Sequence, residues 1–242
     1  VGESYVNTLI GNGYAIKGMT APLFGQTYCS IKGLHLVDVN IEETANQAVA
    51  AFARGITASG NNNGVADTFP VVEHCSVSGK IVMNNATAFV DDEHNDYGES
   101  VVAGLVGRAY GVNISDCVNN ATIEVKQFFP AGHTKALYPC VGGVVGYVYP
   151  GTHTSSGTKV SVYANLTNLV NNGNISIADS TYAGETNITT YSPLRPYVGG
   201  IAGCVHNENK EGEIHYMTNY GDINHSGIYG NGTSISGTFG YV

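Results

Sequence analysis

Short stretches of alternating apolar and polar residues run through the chain, and glycine, asparagine and serine separate them. One motif recurs in these stretches: a small residue followed by two apolar residues and glycine, as in Gly104-Leu105-Val106-Gly107. Its further copies, one of which ends in Arg54 instead of glycine, lie at residues 22–25, 51–54, 143–146, 200–203 and 237–240. Each copy has the length and character of one short strand.

A second motif alternates with the first along the chain. It consists of an apolar residue, an apolar residue or cysteine three positions later, then glycine or alanine, and finally isoleucine. Its copies are Val72/Cys75/Gly79/Ile81, Ile114/Cys117/Ala121/Ile123, Leu166/Leu169/Gly173/Ile175 and Ile214/Met217/Gly221/Ile223, with a looser copy that starts at Ile31/Leu34. The first positions of these copies are 41 to 52 residues apart. Repetition at such intervals predicts a repeat protein.

The pattern predicts an all-β chain. No window carries the apolar stripe of an amphipathic helix over three turns, whereas short β-branched runs between turn residues are typical of strands. The 32 glycines and 7 prolines provide many turns. We expect one elongated domain over residues 1–242, because a repeat array grows by adding coils rather than cores.

Equivalent positions of successive coils are expected to stack about 4.8 Å apart, as neighbouring strands of a sheet do. One predicted inward lane is Cys75, Cys117, Leu169 and Met217, and a second is Ile81, Ile123, Ile175 and Ile223. The intervening positions Asn119/Ala121, Asn171/Gly173 and Asn219/Gly221 fit sharp bends, because asparagine and glycine tolerate positive φ. Stacked asparagine side chains can also hydrogen-bond along the axis.

A resemblance to the GLUG-repeat proteins rests on the segment Gly11-Asn-Gly-x-x-Ile-Lys-Gly18, on Pro22-Leu-Phe-Gly25 and on the repeated Gly-Leu-Val-Gly motif. That family occurs in bacterial surface and secreted proteins. The resemblance covers nearly the whole chain and implies a right-handed parallel β-helix, a solenoid of roughly five irregular coils with long loop insertions. An irregular β-sandwich is the alternative architecture, and it would place the two inward lanes on different sheets.

The same resemblance implies an extracellular or cell-surface location. The chain begins at Val1 without a signal peptide and stops within the sixth copy of the first motif. We therefore expect it to be a piece of a longer surface protein.

Charge and hydrophobicity argue against two classes of partner. The net charge is −9, the isoelectric point is about 5.2, and the 10 lysines and arginines are scattered singly. Because phosphate contacts need clustered basic side chains, nucleic acid is not an expected partner. No apolar run approaches the roughly 20 residues of a transmembrane helix, so no membrane span is expected.

The cysteines form no metal or redox motif. Cys29, Cys75, Cys117, Cys140 and Cys204 show no Cys-x-x-Cys spacing, and their odd number leaves at least one outside any disulfide within the chain. Side chains at stacked positions point the same way, which suits packing better than bridging. We expect Cys75 and Cys117 to be buried thiols rather than a disulfide.

One acidic run offers oxygen ligands for calcium. It contains Asp91, Asp92, Glu93 and Asp96, and Ca²⁺ binds roughly six to eight such oxygens. The run lacks the Asp-x-Asp-x-Asp-Gly spacing of a calcium loop, so a solvated acidic loop is the competing interpretation. No other cofactor is predicted.

Candidate binding residues lie in the loops that follow the isoleucine lane. These loops are expected to stack along the axis, and they carry aromatic side chains suited to sugar rings or to an extended protein partner. The candidates are Tyr97, Phe129, Tyr138, Tyr182 and Tyr191. The competing interpretation is that these rings fold back and cover a coil.

The sequence favours a non-enzymatic, adhesin-like interaction module that binds a glycan or a host or matrix protein. The alternative is a carbohydrate-active β-helix enzyme, a polysaccharide lyase or hydrolase, which needs paired carboxylates at a controlled separation. Asp116 and Asp222 occupy non-equivalent positions of the repeat, and the other acids lie mostly in predicted loops. No catalytic residue is therefore assigned, and the oligomeric state stays open.

Overall fold

A computed structural model of the chain describes residues 8–44, 48–58, 69–84, 100–127, 139–155, 158–179, 196–206, 212–226 and 234–242. All regular secondary structure in these residues is β-strand. The prediction of an all-β chain is confirmed. Among the same residues there is no helix of the length and hydrophobicity that a membrane crossing requires.

The strands are short, as the spacing of turn residues predicts. The first twelve are β1 (Thr8–Ile10), β2 (Ala15–Lys17), β3 (Phe24–Thr27), β4 (Ser30–Lys32), β5 (His35–Glu43), β6 (Ala48–Val49), β7 (Ala53–Thr57), β8 (Val71–Glu73), β9 (Ser76–Met83), β10 (Val101–Ala103), β11 (Val106–Tyr110) and β12 (Asn113–Gln127). The next twelve are β13 (Cys140–Gly142), β14 (Val145–Tyr149), β15 (Gly151–Ser155), β16 (Thr158–Val162), β17 (Leu166–Asn171), β18 (Ile175–Asp179), β19 (Tyr197–Gly199), β20 (Ala202–Val205), β21 (Ile214–Asn219), β22 (Ile223–Ser226), β23 (Ser234–Ser236) and β24 (Phe239–Tyr241).

Three parallel sheets contain all of these strands except one hairpin. Sheet A has 11 strands, namely β1, β2, β4, β5, β8, β9, β12, β17, β18, β21 and β22. Sheet B has 6 strands in the order β24-β20-β14-β11-β7-β3, and sheet C has 5 in the order β23-β19-β13-β10-β6. The exception is the antiparallel pair β15 and β16, which is inserted between a strand of sheet B and a strand of sheet A.

The chain visits the three sheets in the same order again and again. A passage through sheet C, then sheet B, then sheet A is called a coil below. The strands β10, β11 and β12 make one coil, and β13, β14, β17 and β18 make the next. This part of the structure is solenoid-like, and every copy of the first motif except the one at residues 22–25 forms the turn from sheet C into sheet B.

Sheet A carries both inward lanes that the second motif predicts. The first positions of the motif pair in register, in the order Ile31, Val72, Ile114, Leu166 and Ile214. The isoleucine lane pairs in the order Ile81, Ile123, Ile175 and Ile223. The cysteine lane pairs in the same sheet, in the order Cys117, Leu169 and Met217. Both predicted lanes therefore lie in one sheet, which is the opposite of what the β-sandwich alternative predicts.

The cysteine lane is confirmed, and its two cysteines are buried thiols. Cys117 pairs with Leu169, and Leu169 pairs with Met217. Cys75 and Cys117 are both buried and form no disulfide, and each Sγ lies 3.1 to 3.2 Å from a backbone carbonyl oxygen two residues earlier. The hydrogen bond with Cys75, together with burial, raises the pKa of the Cys117 thiol well above its usual range. Both side chains serve as small apolar residues.

A disulfide between Cys140 and Cys204 joins neighbouring coils, and no spacing of the cysteines along the chain predicts it. It sits in a second, smaller apolar cluster that includes Val101, Tyr147 and Tyr197. The two cysteines are 64 positions apart in the sequence. A cross-link over that distance lowers the conformational entropy of the unfolded chain, which stabilises the folded state by about 4 kcal/mol.

Positive backbone φ angles occur at a different place from the one predicted. Five of them form a row along sheet A, one residue before each inward Leu, Cys or Met: Gly33, His74, Asp116, Asn168 and Tyr216, with φ between 52° and 59°. The predicted bends at Asn119, Asn171 and Asn219 do not have positive φ. Each of these asparagines instead donates from Nδ2 to the carbonyl oxygen two residues later, which holds the bend without a left-handed backbone.

The predicted asparagine ladder is confirmed. Asn119 Nδ2 donates to Asn171 Oδ1 at 2.7 Å, and Asn171 Nδ2 donates to Asn219 Oδ1 at 2.7 Å. Asn119 and Asn171 are 0% exposed. Because a buried amide without partners costs about 1–3 kcal/mol, the fold depends on the continuity of this ladder.

The first glycine of the first motif makes room for the ladder. An added Cβ at Gly104 would lie 2.5 Å from Cγ of Asn119, and one at Gly143 would lie 2.5 Å from Cγ of Asn171. An added Cβ at Gly200 would overlap the Asn219 side chain in the same way. Each of these coils therefore joins its two motifs through one glycine–asparagine contact.

Candidate functional site

The residues predicted to bind ligands lie outside the described residues. This holds for the aromatic candidates Tyr97, Phe129, Tyr138, Tyr182 and Tyr191 and for the acidic candidates Asp91, Asp92, Glu93 and Asp96. Both sites stay predictions. Within the described ranges, no group of three or more His, Cys, Asp and Glu side chains is arranged to hold a metal ion.

The described surface offers another candidate on the outward face of sheet A. Three adjacent rows of side chains run along the axis there, and they are together called the outer strip. Its members are Asp116, Asn168 and Tyr216 in the corner row, Val118, Val170 and Thr218 in the middle row, and Asn120, Asn172 and Tyr220 in the third row. The middle row is half-buried, whereas both outer rows are exposed.

Hydrogen bonds along the axis fix the polar members of the outer strip. Asn168 Nδ2 donates to Asp116 Oδ1 at 2.7 Å in the corner row. Asn172 Nδ2 donates to Asn120 Oδ1 at 2.8 Å in the third row. These amides are already ordered in the free protein, so the binding of a ligand has a smaller entropic cost.

Two exposed tyrosines, which belong to the same coil, lie at one end of the outer strip. Tyr216 is 79% exposed and Tyr220 is 75% exposed. They lie four residues apart along the chain, which corresponds to at most about 13 Å in an extended strand. Among the described residues, only Tyr14 at 76% is an aromatic side chain of comparable exposure, and it lies in the first coil, away from the outer strip.

Tyr216 also has an unfavourable backbone. Its φ is 59°, in the left-handed region. The residues at the equivalent corner of earlier coils, His74, Asp116 and Asn168, belong to the types that adopt this region most readily, whereas a bulky side chain there costs about 1–2 kcal/mol. A bulky, exposed residue held in a strained conformation is a feature that clusters at binding sites.

A second group of aromatic side chains packs internally and is less suited to bind a ligand. Tyr147 and Tyr149 stack at 5.9 Å between ring centroids, Tyr110 meets Tyr149 edge-on at 6.1 Å, and His206 lies 5.1 Å from Tyr149. These rings are buried or half-buried against the cluster around the disulfide. We infer that these side chains stabilise the fold by packing.

The carboxylates of Asp116 and Asp222 do not converge. Asp116 belongs to the corner row, whereas the backbone N–H of Asp222 donates to Asn174 Oδ1 in a different row. The expectation that these two acids occupy non-equivalent positions is confirmed. His74 Nε2 lies 3.8 Å from Asp116 Oδ2 as an exposed pair, and such a pair contributes little to stability.

Sequence reasoning missed the two tyrosines of the outer strip. The aromatic candidates predicted from the sequence lie in loops, whereas Tyr216 lies in β21 and Tyr220 directly follows it. The apolar residues of that strand, Ile214 and Met217, indicate core packing rather than a binding surface. The usable signal was comparative: where earlier copies have His74, Asp116 and Asn168, the last copy has tyrosine.

Comparisons with known proteins give no relative: no family model matches the chain, and no match is found among curated proteins. The resemblance to GLUG repeats therefore rests on short motifs, and the function has to be argued from the outer strip itself.

Replacing Tyr216 by Asn, the residue at the equivalent corner of the preceding coil, should raise the free energy of unfolding by about 1 kcal/mol, because asparagine tolerates positive φ. The matched control is Tyr220→Asn, at a position of equal exposure without positive φ, where little change is expected. Equilibrium denaturation measures both. A loss of stability in Tyr216→Asn would contradict the assignment of strain.

Proposed function

We propose that the chain is a non-enzymatic, adhesin-like interaction module that binds an extended ligand along the outer strip. Tyr216 and Tyr220 are the contacts that hold the ligand, and the amide side chains of Asn168 and Asn172 orient it. The proposal assigns no catalytic residue. The proposed binding surface is the outward face of sheet A rather than the loops predicted from the sequence.

One observation carries the proposal: a large aromatic side chain is 79% exposed at a corner where its backbone is strained. Stability alone would favour Asn, His or Gly at position 216. Because an exposed ring gains nothing from core packing, a benefit to binding is the simplest reason for a tyrosine there. Tyr220 supplies a second ring on the same face.

The architecture proposed to support this surface is a right-handed parallel β-helix. Three parallel sheets visited in a constant order support it, and crossovers between parallel strands are right-handed in nearly all proteins. In such a solenoid the outward rows are straight and rigid. A ligand that spans several coils would meet a pre-arranged surface.

The proposed place of action is outside the cell or at its surface. The disulfide between Cys140 and Cys204 supports this location, because disulfides form and persist in oxidising compartments. Brief proteolysis of intact producing cells should release peptides of the chain. Peptides that appear only after lysis, with none in the medium, would count against this location.

Binding to immobilised glycans, collagen and fibronectin tests the function. The unaltered chain should bind at least one of these, and the double variant Tyr216→Asn/Tyr220→Asn should bind at least about tenfold more weakly, because two aromatic contacts are lost. Tyr14→Asn is the matched control, since Tyr14 is 76% exposed but lies in the first coil.

Two results would overturn the proposal. One is the absence of binding to every immobilised ligand by the unaltered chain. The other is unchanged binding by the double variant. Misfolding would not explain a loss, because Tyr216→Asn is expected to be at least as stable as the unaltered chain.

A further inference from the structure

We infer that the ligand of the outer strip is an uncharged glycan, bound by stacking of its sugar rings on Tyr216 and Tyr220. This inference rests on the proposed function and adds the chemical class of the ligand. Three independent features of the strip support it: its charge, its hydrogen-bonding groups and the half-buried row between its two exposed rows.

The charge around the tyrosines excludes an anionic ligand. The strands that carry this end of the strip, β17, β18, β21 and β22, contain no lysine or arginine. Among the described residues, the charged groups that lie near the tyrosines along the chain are acidic, namely Glu213 and Asp222, and Asp116 lies two coils away in the corner row. Sulfate and uronate groups are recognised by lysine and arginine side chains, so an anionic polysaccharide would meet repulsion without compensation.

His215 and His74 do not reverse this charge. His215 Nε2 lies 3.9 Å from Glu213 Oε2, and both side chains are more than half exposed. His74 Nε2 lies 3.8 Å from Asp116 Oδ2. Each imidazole therefore faces a carboxylate, and its positive charge, when present, is balanced by that group. The part of the surface around Tyr216 that the structure describes is therefore neutral to negative.

The polar groups of the strip match sugar hydroxyls. An asparagine amide has two N–H donors and one acceptor oxygen, and the axial bond of Asn172 uses one of its donors. A second donor and the oxygen remain for a ligand, and the same count holds for Asn168. Hydroxyl groups both donate and accept, so an amide that offers one of each pairs well with a sugar.

The middle row gives the strip a shape that fits a pyranose ring. Val118, Val170 and Thr218 are half-buried, while the rows on either side are exposed. Their methyl groups form an apolar floor between polar rims. The C–H face of a sugar can lie against this floor and against a tyrosine ring while its equatorial hydroxyls reach the rims.

A folded host protein fits the strip less well. The strip is three residues wide, and it carries exposed amides rather than the cluster of apolar anchors that dominates protein interfaces. A protein ligand is therefore kept as one outcome of the test.

The test measures binding of the 242-residue chain to soluble laminarin, mannan, xylan and galactan, to heparin and polygalacturonate, and to collagen and fibronectin. At least one uncharged polysaccharide should bind, and its affinity should not change when salt is raised, because no ion pair is formed. Tyr216→Asn/Tyr220→Asn should lower this affinity at least about tenfold. Asn172→Ala should lower it about threefold, while Tyr14→Asn should not change it.

The outcomes separate the inference from the proposed function. Tyrosine-dependent binding only to heparin or polygalacturonate, or only to collagen or fibronectin, overturns the uncharged glycan and leaves the outer strip as the binding surface. Binding that does not depend on the two tyrosines, or no binding at all, overturns both.

Discussion

A row of asparagine amides, buried at Asn119 and Asn171, is the interaction on which three successive coils of this protein depend. Asn119, Asn171 and Asn219 bond to one another along the axis, and each also bonds to the bend of its own coil. The amide groups of Asn119 and Asn171 are polar and fully buried, so each must find its partners or destabilise the fold. The glycines opposite them follow from this constraint, because an added Cβ would occupy the space of the amide.

The same ladder fixes what the outside of sheet A presents. Inward and outward residues alternate along a strand, so a coil whose Asn171 is locked in register also places Asn172 and Val170 in their outward rows. The strip that carries Tyr216 and Tyr220 is therefore as rigid as the ladder beneath it. A strained tyrosine corner is tolerated because the register around it is already determined by buried contacts.

Sequence reasoning gave the strand class, the lanes and the ladder, because each depends on stacking of like residues and stacking leaves a periodic trace. It misplaced the positive φ angles, since the rule that asparagine and glycine favour them ignored what a side-chain amide can do for a bend. The Cys140–Cys204 disulfide left no trace, because it crosses between two sheets whose spacing the sequence does not encode. Tyr216 and Tyr220 were missed because exposure at a corner depends on a backbone angle that no periodicity reports.

The most direct test of the ladder is to compare Gly143→Ala with Gly237→Ala by equilibrium unfolding. Both glycines begin a copy of the same motif, but an added Cβ at Gly143 meets the Asn171 amide and the Gly200 carbonyl oxygen, whereas one at Gly237 meets nothing within 4 Å. Gly143→Ala should lose about 3 kcal/mol or more, and Gly237→Ala should gain up to about 1 kcal/mol. Equal effects of the two substitutions would contradict the central place given to the glycine–asparagine contact.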